Sequence, residues 1–247
     1  ESLALWPELV YMGQDIGPYG GVFKATEGLA DLFGSNRVRN TPLCESAIVG
    51  ASLGWSIAGG KAMMEMQFSD FVTTGFNQIV NNLAKLHWRW GQAVDVVVRM
   101  PTGAGVAAGP FHSQSTEAWF THVPGLKVVY PAFPGEAKGL LMASFNEPNP
   151  VLFFEHKAMY RTVREEVKEG PQFIELGKAD VVHSGTDLTV ITYGMGIHWT
   201  LDLIEEEGLT GRLDLINLRT LVPLDFDAIR SSVARTGKVI VLQEDVA

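Results

Sequence analysis

The sequence predicts an α/β protein built on a parallel sheet, and three observations carry that reading. Short apolar runs alternate with longer helical patterns along nearly all of the 247 residues, the order that builds βαβ units. The runs Val96-Val97-Val98 and Leu152-Phe153-Phe154 do not alternate in polarity, which suits strands covered on both faces by helices. Seven charged residues between Lys157 and Glu169 interrupt the pattern, and a second, shorter α/β series follows them.

The elements can be justified in order. Residues 9–12 read as a strand, followed by a loop holding Gly17, Pro18, Gly20 and Gly21. Residues 26–33 read as a short helix that Gly34 closes. Residues 37–40 read as a strand end, and Pro42 biases Thr41 away from helix. From 47 to 58 the chain is small, apolar and glycine-rich, the pattern of a buried helix packed closely against its neighbours. A strand is expected at 62–67. A helix at 71–86 places Phe76, Ile79, Val80 and Leu83 on one apolar face. Strands at 94–99, 127–130 and 151–154 and a helix at 134–145 complete a first domain, 1–165, with right-handed crossovers.

The charged stretch reads as an exposed connection. In the second domain, 166–247, strands at 188–193, 213–218 and 239–242 and helices at 198–207 and 226–234 make a thin, all-parallel sheet. The sequence stops just after the last strand, where such a fold would place another helix, so this domain is expected to be incomplete.

Composition narrows the chemistry. A net charge of −9 with scattered Lys and Arg argues against nucleic acid or an anionic membrane as partner. No apolar stretch reaches the length of a membrane span. Cys44 is the single cysteine, so an internal disulfide and a cysteine metal cluster are excluded and a reducing compartment is implied. Cys44 itself reads as a small buried hydrophobe. The glycines of 103–109 match neither the dinucleotide nor the P-loop spacing, and no His-x-x-x-His is present.

Four side chains stand out. Glu45 lies where an extended piece meets the 47–58 helix. A carboxyl group desolvated there can share a proton with a ligand nitrogen, although a glutamate at a helix start is also favoured by the helix dipole alone. Gln67 and Phe71 lie at the carboxyl end of a strand, where open α/β sheets bind ligands. Phe71 could present its face to a flat heterocycle or simply begin the core side of a helix, and Gln67 could bond a ligand or finish the strand. His112 follows the glycine-rich loop 103–109, a suitable place for a mobile acid or base.

Several segments in order then carry a resemblance: Gly-Gly-Val-Phe at 20–23, Arg-Val-Arg-Asn-Thr-Pro-Leu-Cys-Glu at 37–45, Asp-Phe at 70–71 and Asn-Gln-Ile-Val-Asn at 77–81. Phe-His-Ser-Gln-Ser at 111–115, Pro-Gly-Leu-Lys-Val-Val at 124–129, Phe-Phe-Glu at 153–155 and Leu-Val-Pro-Leu-Asp at 221–225 continue it. The chain resembles the beta subunits of thiamine-diphosphate-dependent 2-oxo acid dehydrogenases. The resemblance implies a transketolase-like pyrimidine-binding domain followed by a partly present transketolase C-terminal domain. It implies that Glu45 bonds the aminopyrimidine ring of thiamine diphosphate, that Phe71 packs on that ring, and that Leu43 and Gln67 line the pocket. His112 would assist decarboxylation or acyl transfer to a lipoyl group. Ser144, Glu147 and Asn149 fall near a potassium site of some relatives, although a helix-end turn would use the same residue types.

The implied activity is oxidative decarboxylation of a 2-oxo acid with acyl transfer to lipoamide. The wording of 40–45 leans towards branched-chain substrates over pyruvate or acetoin, with a non-catalytic scaffold as the alternative of another class. Two departures stand out: Pro110 precedes Phe111-His112, and Thr116 replaces the family's usual proline. The chain also lacks the Gly-Asp-Gly…Asn-Asn segment that holds magnesium and diphosphate. Magnesium is therefore expected on an alpha subunit or alpha half, with a second beta copy and a lipoyl acyltransferase core as further partners. The surface around Phe71, Phe76 and Ile79 is expected to be partly interface. The bacterial cytoplasm is favoured over the mitochondrial matrix.

Overall fold

The computed structural model describes residues 1–246. Its strands are β1 (Leu9–Gly13), β2 (Val38–Asn40), β3 (Lys61–Glu65), β4 (Val96–Thr102), β5 (Lys127–Val129), β6 (Val151–His156), β7 (Asp180–His183), β8 (Leu188–Thr192), β9 (Leu213–Asn217), β10 (Thr220–Val222) and β11 (Val239–Val241). A seven-stranded sheet has the order β10-β5-β6-β4-β3-β1-β2, and a four-stranded sheet the order β11-β8-β9-β7. Every pairing in the large sheet is parallel except β10 with β5.

The non-alternating runs are explained by two cores, one on each face of the large sheet. Successive strand side chains point to opposite faces. Val10, Met64, Val98 and Phe154 enter one cluster, beneath the Glu45–Ile57 helix and the helical run 72–90. Leu9, Met63, Val97 and Phe153 enter the other, beneath the Pro134–Phe145 helix. The run 72–90 is longer than expected and passes through a π-helical segment, Gln78–Leu83, between α-helical Val72–Asn77 and Ala84–Trp90.

Several expectations need correction. Only one face of the Glu45–Ile57 helix is buried; added methyls at Gly50 and Gly54 would meet nothing within 4 Å. Cys44 is exposed, as the residue capping that helix. Ile79 is fully buried and supplies no free surface, whereas Phe76, packed against the same core, is only partly buried. The second sheet has four strands, and β7 pairs antiparallel with β9. β10, unforeseen, leaves its own domain and adds to the first sheet beside β5. Both missed strands are three or four residues long, and their existence depends on a partner's register more than on their own apolar pattern. Lys157, expected in an exposed connection, is 2% exposed.

The return of β10 fixes one domain on the other. Glu136, buried near the start of the Pro134–Phe145 helix, accepts hydrogen bonds from the Ala132 N–H at 3.1 Å and the Asn217 amide at 2.9 Å. It also pairs with the Arg219 guanidinium at 2.7 Å, which reaches Asp180 at 3.0 Å. Removing one partner of a buried ion pair leaves the other uncompensated. Glu136→Ala should therefore destabilise the protein by about 3 kcal/mol, read from the urea unfolding midpoint. Arg212→Ala, which breaks an exposed pair with Asp187, should leave that midpoint where it is.

Candidate active site

Glu45 is the first residue of its helix and is buried, although Leu43 and Cys44 just before it are exposed. The extended backbone of Cys44, at φ −164°, turns the chain so that Glu45 points inward. Its Oε2 lies 3.1 Å from the Thr74 hydroxyl, and the same hydroxyl lies 2.9 Å from the Phe71 carbonyl. Thr74 sits three residues beyond Phe71, where the first helical turn brings its side chain back. At Gly75 the two helices come close: an added methyl would lie 3.7 Å from the Glu45 backbone and 3.3 Å from Met66 Cε.

Phe71 in turn meets His112. Their ring centroids are 5.5 Å apart, edge to face, and Phe68 completes the group at 4.7 Å from His112 and 5.7 Å from Phe71. The structure thus brings three of the sequence-predicted residues, Glu45, Phe71 and His112, into one line, with Thr74 and Phe68 as the connectors that sequence reasoning missed. Phe68 lay inside the segment singled out at the end of β3, and its aromatic character was the available signal. Gln67 is bonded to Asp15 Oδ2 at 2.7 Å, joining the loops after β3 and β1. Leu43 is 74% exposed beside Glu45. His122 lies exposed at the end of the Ala118–Thr121 helix, apart from this group.

The loop that carries His112 is anchored at its base. Gln114 donates its N–H to Asp70 Oδ1 at 3.1 Å and accepts at its carbonyl from the Gly103 N–H and the Thr102 hydroxyl. The Ala104 N–H donates to Glu244 Oε1 at 3.0 Å, so the segment after β11 also holds it. Glu244 Oε2 lies 2.7 Å from His156 Nε2. The Ala158 N–H donates to Nδ1 of that ring, which places the ring proton on Nε2 for Glu244. Burial opposes the Glu244 charge, but the bonds from His156 and Ala104 outweigh it and hold the carboxyl below the usual range. The loop's apex is open to solvent, with Phe111 75% exposed.

At the three candidate potassium positions, the Ser144 hydroxyl donates to the Leu140 carbonyl, Glu147 pairs with the Lys127 ammonium, and the Asn149 amide donates to Glu147. Glu147 and Asn149 are brought together, and the positive charge facing them is that of Lys127. No group of three or more His, Cys, Asp or Glu side chains among the described residues is arranged to hold a metal.

Known proteins share this fold. Residues 1–163 match the transketolase pyrimidine-binding domain and residues 177–247 the transketolase C-terminal domain. A solved split-gene transketolase, an inactive beta4 tetramer, superposes with a TM-score of 0.77 over 97% of this chain and 74% of its own, at 21% identity. The protein is therefore of the transketolase type in fold. The 2-oxoisovalerate dehydrogenase beta subunit of Bacillus subtilis is 45% identical over 95% of this chain and 72% of its own length. The mitochondrial 2-oxoisovalerate dehydrogenase beta subunit of Dictyostelium discoideum is 45% identical over 95% of this chain and 65% of its own. The pyruvate dehydrogenase E1 beta subunit of Bacillus subtilis is 43% identical over 96% and 74%. Within that fold class the chain belongs to the family of 2-oxo acid dehydrogenase beta subunits. It spans about two thirds to three quarters of the length of these relatives.

One titratable group beside the site is set apart by its surroundings. Glu117, 1% exposed, accepts from the Tyr193 hydroxyl of the second domain at 3.1 Å. Burial raises its carboxyl to about 7, against the opposing pull of its hydrogen bonds. A carboxyl raised above its unfolded value holds its proton longer in the folded state. The stability this confers is complete below about pH 4.5 and lost as pH rises through about 7. Wild-type protein should lose about 3 kcal/mol more than Glu117→Gln between those limits, measured by denaturant unfolding at a series of pH values.

Proposed function

We propose that the chain is the beta component of a branched-chain 2-oxo acid dehydrogenase, using thiamine diphosphate and passing the acyl group to a lipoyl arm. The continuous line from Glu45 through Thr74 and Phe71 to His112 carries this reading. A carboxyl group tied through one hydroxyl to the backbone of an aromatic residue suits a flat ring with a nitrogen at its edge, and this fits the pyrimidine end of the cofactor. When bound, thiamine diphosphate supplies the carbanion chemistry that releases carbon dioxide from a 2-oxo acid. Glu45 holds a proton at its carboxyl for the ring nitrogen, Phe71 supports the ring face, and Leu43 and Gln67 bound the pocket. His112, below the exposed apex of a loop, is the acid or base that meets the lipoyl arm.

The other end of the cofactor needs donors from elsewhere. Magnesium and the diphosphate are assigned to an alpha subunit or alpha half. Ser144, Glu147 and Asn149 would take potassium only if Lys127 gave way. A partner face is also on hand: Ala47, Ala51 and Gly54 form an exposed small-residue stripe, and Trp88 and Trp90 are 88% and 65% exposed. Small residues let a second helix approach closely, and exposed tryptophans are typical interface anchors. We assign these surfaces to the alpha chain and a second beta copy, in an assembly that also meets a lipoyl acyltransferase core. Among the described residues no helix is long and apolar enough to cross a membrane; a bacterial cytoplasmic location is the favoured one.

In the assembled protein, Glu45→Gln should lower turnover by about 10²–10⁴ with the far-ultraviolet spectrum unchanged. The unmutated assembly should turn over 2-oxoisovalerate faster than pyruvate; the reverse order would move the assignment to pyruvate dehydrogenase. Near-normal turnover of Glu45→Gln would remove Glu45 from the reaction. Calorimetric titration of the isolated chain with thiamine diphosphate and magnesium should give no sub-micromolar binding, because this chain contacts one end of the ligand. Tight binding with decarboxylation by this chain alone would show a complete site and make the partner unnecessary.

A further inference from the structure

Behind the aromatic group lies a charged residue with no part in the chemistry above. Lys157 directly follows β6 and is 2% exposed, and its ammonium has no hydrogen-bond partner among the described residues. It stands 5.4 Å from the centroid of Phe68, the ring against which His112 packs. Asp70 is also buried and, among the described residues, has one oxygen on the Gln114 N–H and the other without a partner. The backbone ties these groups together. The Lys157 N–H donates to the Thr102 carbonyl at 3.0 Å, the Thr102 hydroxyl donates to the Gln114 carbonyl, and the Ser69 hydroxyl donates to Thr102 Oγ1 at 2.9 Å. Gln114 is two residues from His112.

This ammonium works against stability. Burial lowers it to about 8, against the opposing fields of Asp70 and Glu244. An apolar side chain of similar length would fill the space without that penalty. A charge kept at such a place has a use other than holding the fold together.

We propose that Lys157 is a positioning residue for the His112 loop: its positive charge keeps the Asp70 carboxylate on the Gln114 N–H and supports the Phe68 face that His112 packs on. The inference rests on the proposed function only for what the loop does; the attachment itself needs no ligand. The charged and titratable groups that face the ammonium are Asp70 after β3, Glu244 after β11, and His156, which Glu244 engages. His112 lies across Phe68.

Amide hydrogen exchange of residues 103–116, followed by mass spectrometry on the full-length protein in its native assembly without thiamine diphosphate, tests this. Lys157→Met should speed exchange in that segment at least fivefold at pH 7 while the melting temperature holds or rises. Asp70→Asn should do the same, and the double variant should add nothing to either. Wild-type protection, corrected for the intrinsic rate, should fall as pH passes about 8 and stay level in Lys157→Arg, whose charge persists. Unchanged exchange in both single variants, or effects that sum in the double, would overturn the inference. Faster exchange throughout the chain with a lowered melting temperature in both variants would also overturn it, leaving Lys157 a residue of the core. Because no cofactor is added, a failure of the thiamine diphosphate reading would leave these results standing.

Discussion

Strand direction is the constraint on which the site depends. β1, β3, β4 and β6 are parallel neighbours, so all four leave the sheet at the same edge. Asp15 follows β1, the segment from Gln67 to Phe71 follows β3, the His112 loop follows β4, and Lys157 follows β6. Residues separated by as many as 142 positions in sequence are thereby gathered without any long-range signal in the residues themselves. Reversing one five-residue strand would move its loop about 16 Å, to the opposite edge. The side-chain bonds at this edge refine an arrangement that strand direction has already made.

Polar groups then set what apolar contact leaves free. Burial of apolar surface is non-directional, and the two faces of the large sheet could accept the second domain at many angles. The Glu136 cluster, with donors from Ala132, Asn217 and Arg219, admits one angle only, and β10 adds a strand pairing to it. A second buried cluster joins β1, β3, β4 and β6. There Arg99 pairs with Glu65 and Glu155, while Tyr11 donates to Glu65 and Tyr160 to Glu155. Such a network in a parallel sheet fixes the relative heights of the strands, and therefore the level from which each site loop departs.

Much of this was legible in the sequence because the large sheet is made of strands buried on both faces. Runs such as Val96-Val97-Val98 have no polar side to present, and their helices have the length and punctuation that mark crossovers. Glu45, Phe71 and His112 were legible for a different reason: each stands at a change of pattern, where an apolar element gives way to a loop. What escaped was whatever depends on a partner distant in sequence. β7 and β10 exist through antiparallel pairing with β9 and β5. Lys157 sits in a charged stretch that looks solvated, and only the convergence of β4, β6 and the turn after β3 covers it. Cys44 looked apolar, yet the turn that buries Glu45 pushes its neighbour outward.

The Thr74 hydroxyl has one proton and two oxygens within reach, the Phe71 carbonyl and Glu45 Oε2. When Glu45 is ionised, that proton can serve the carboxylate. When Glu45 carries its own proton, the carboxyl donates to Thr74 and the hydroxyl turns to the carbonyl. Either state of Glu45 is satisfied by a rotation about one bond, with no heavy atom displaced. A polar environment already arranged for both charge states lowers the reorganisation that a proton transfer would otherwise require. Thr74 thus acts as a miniature solvent for Glu45, fixed in place by the same helical turn that positions Phe71.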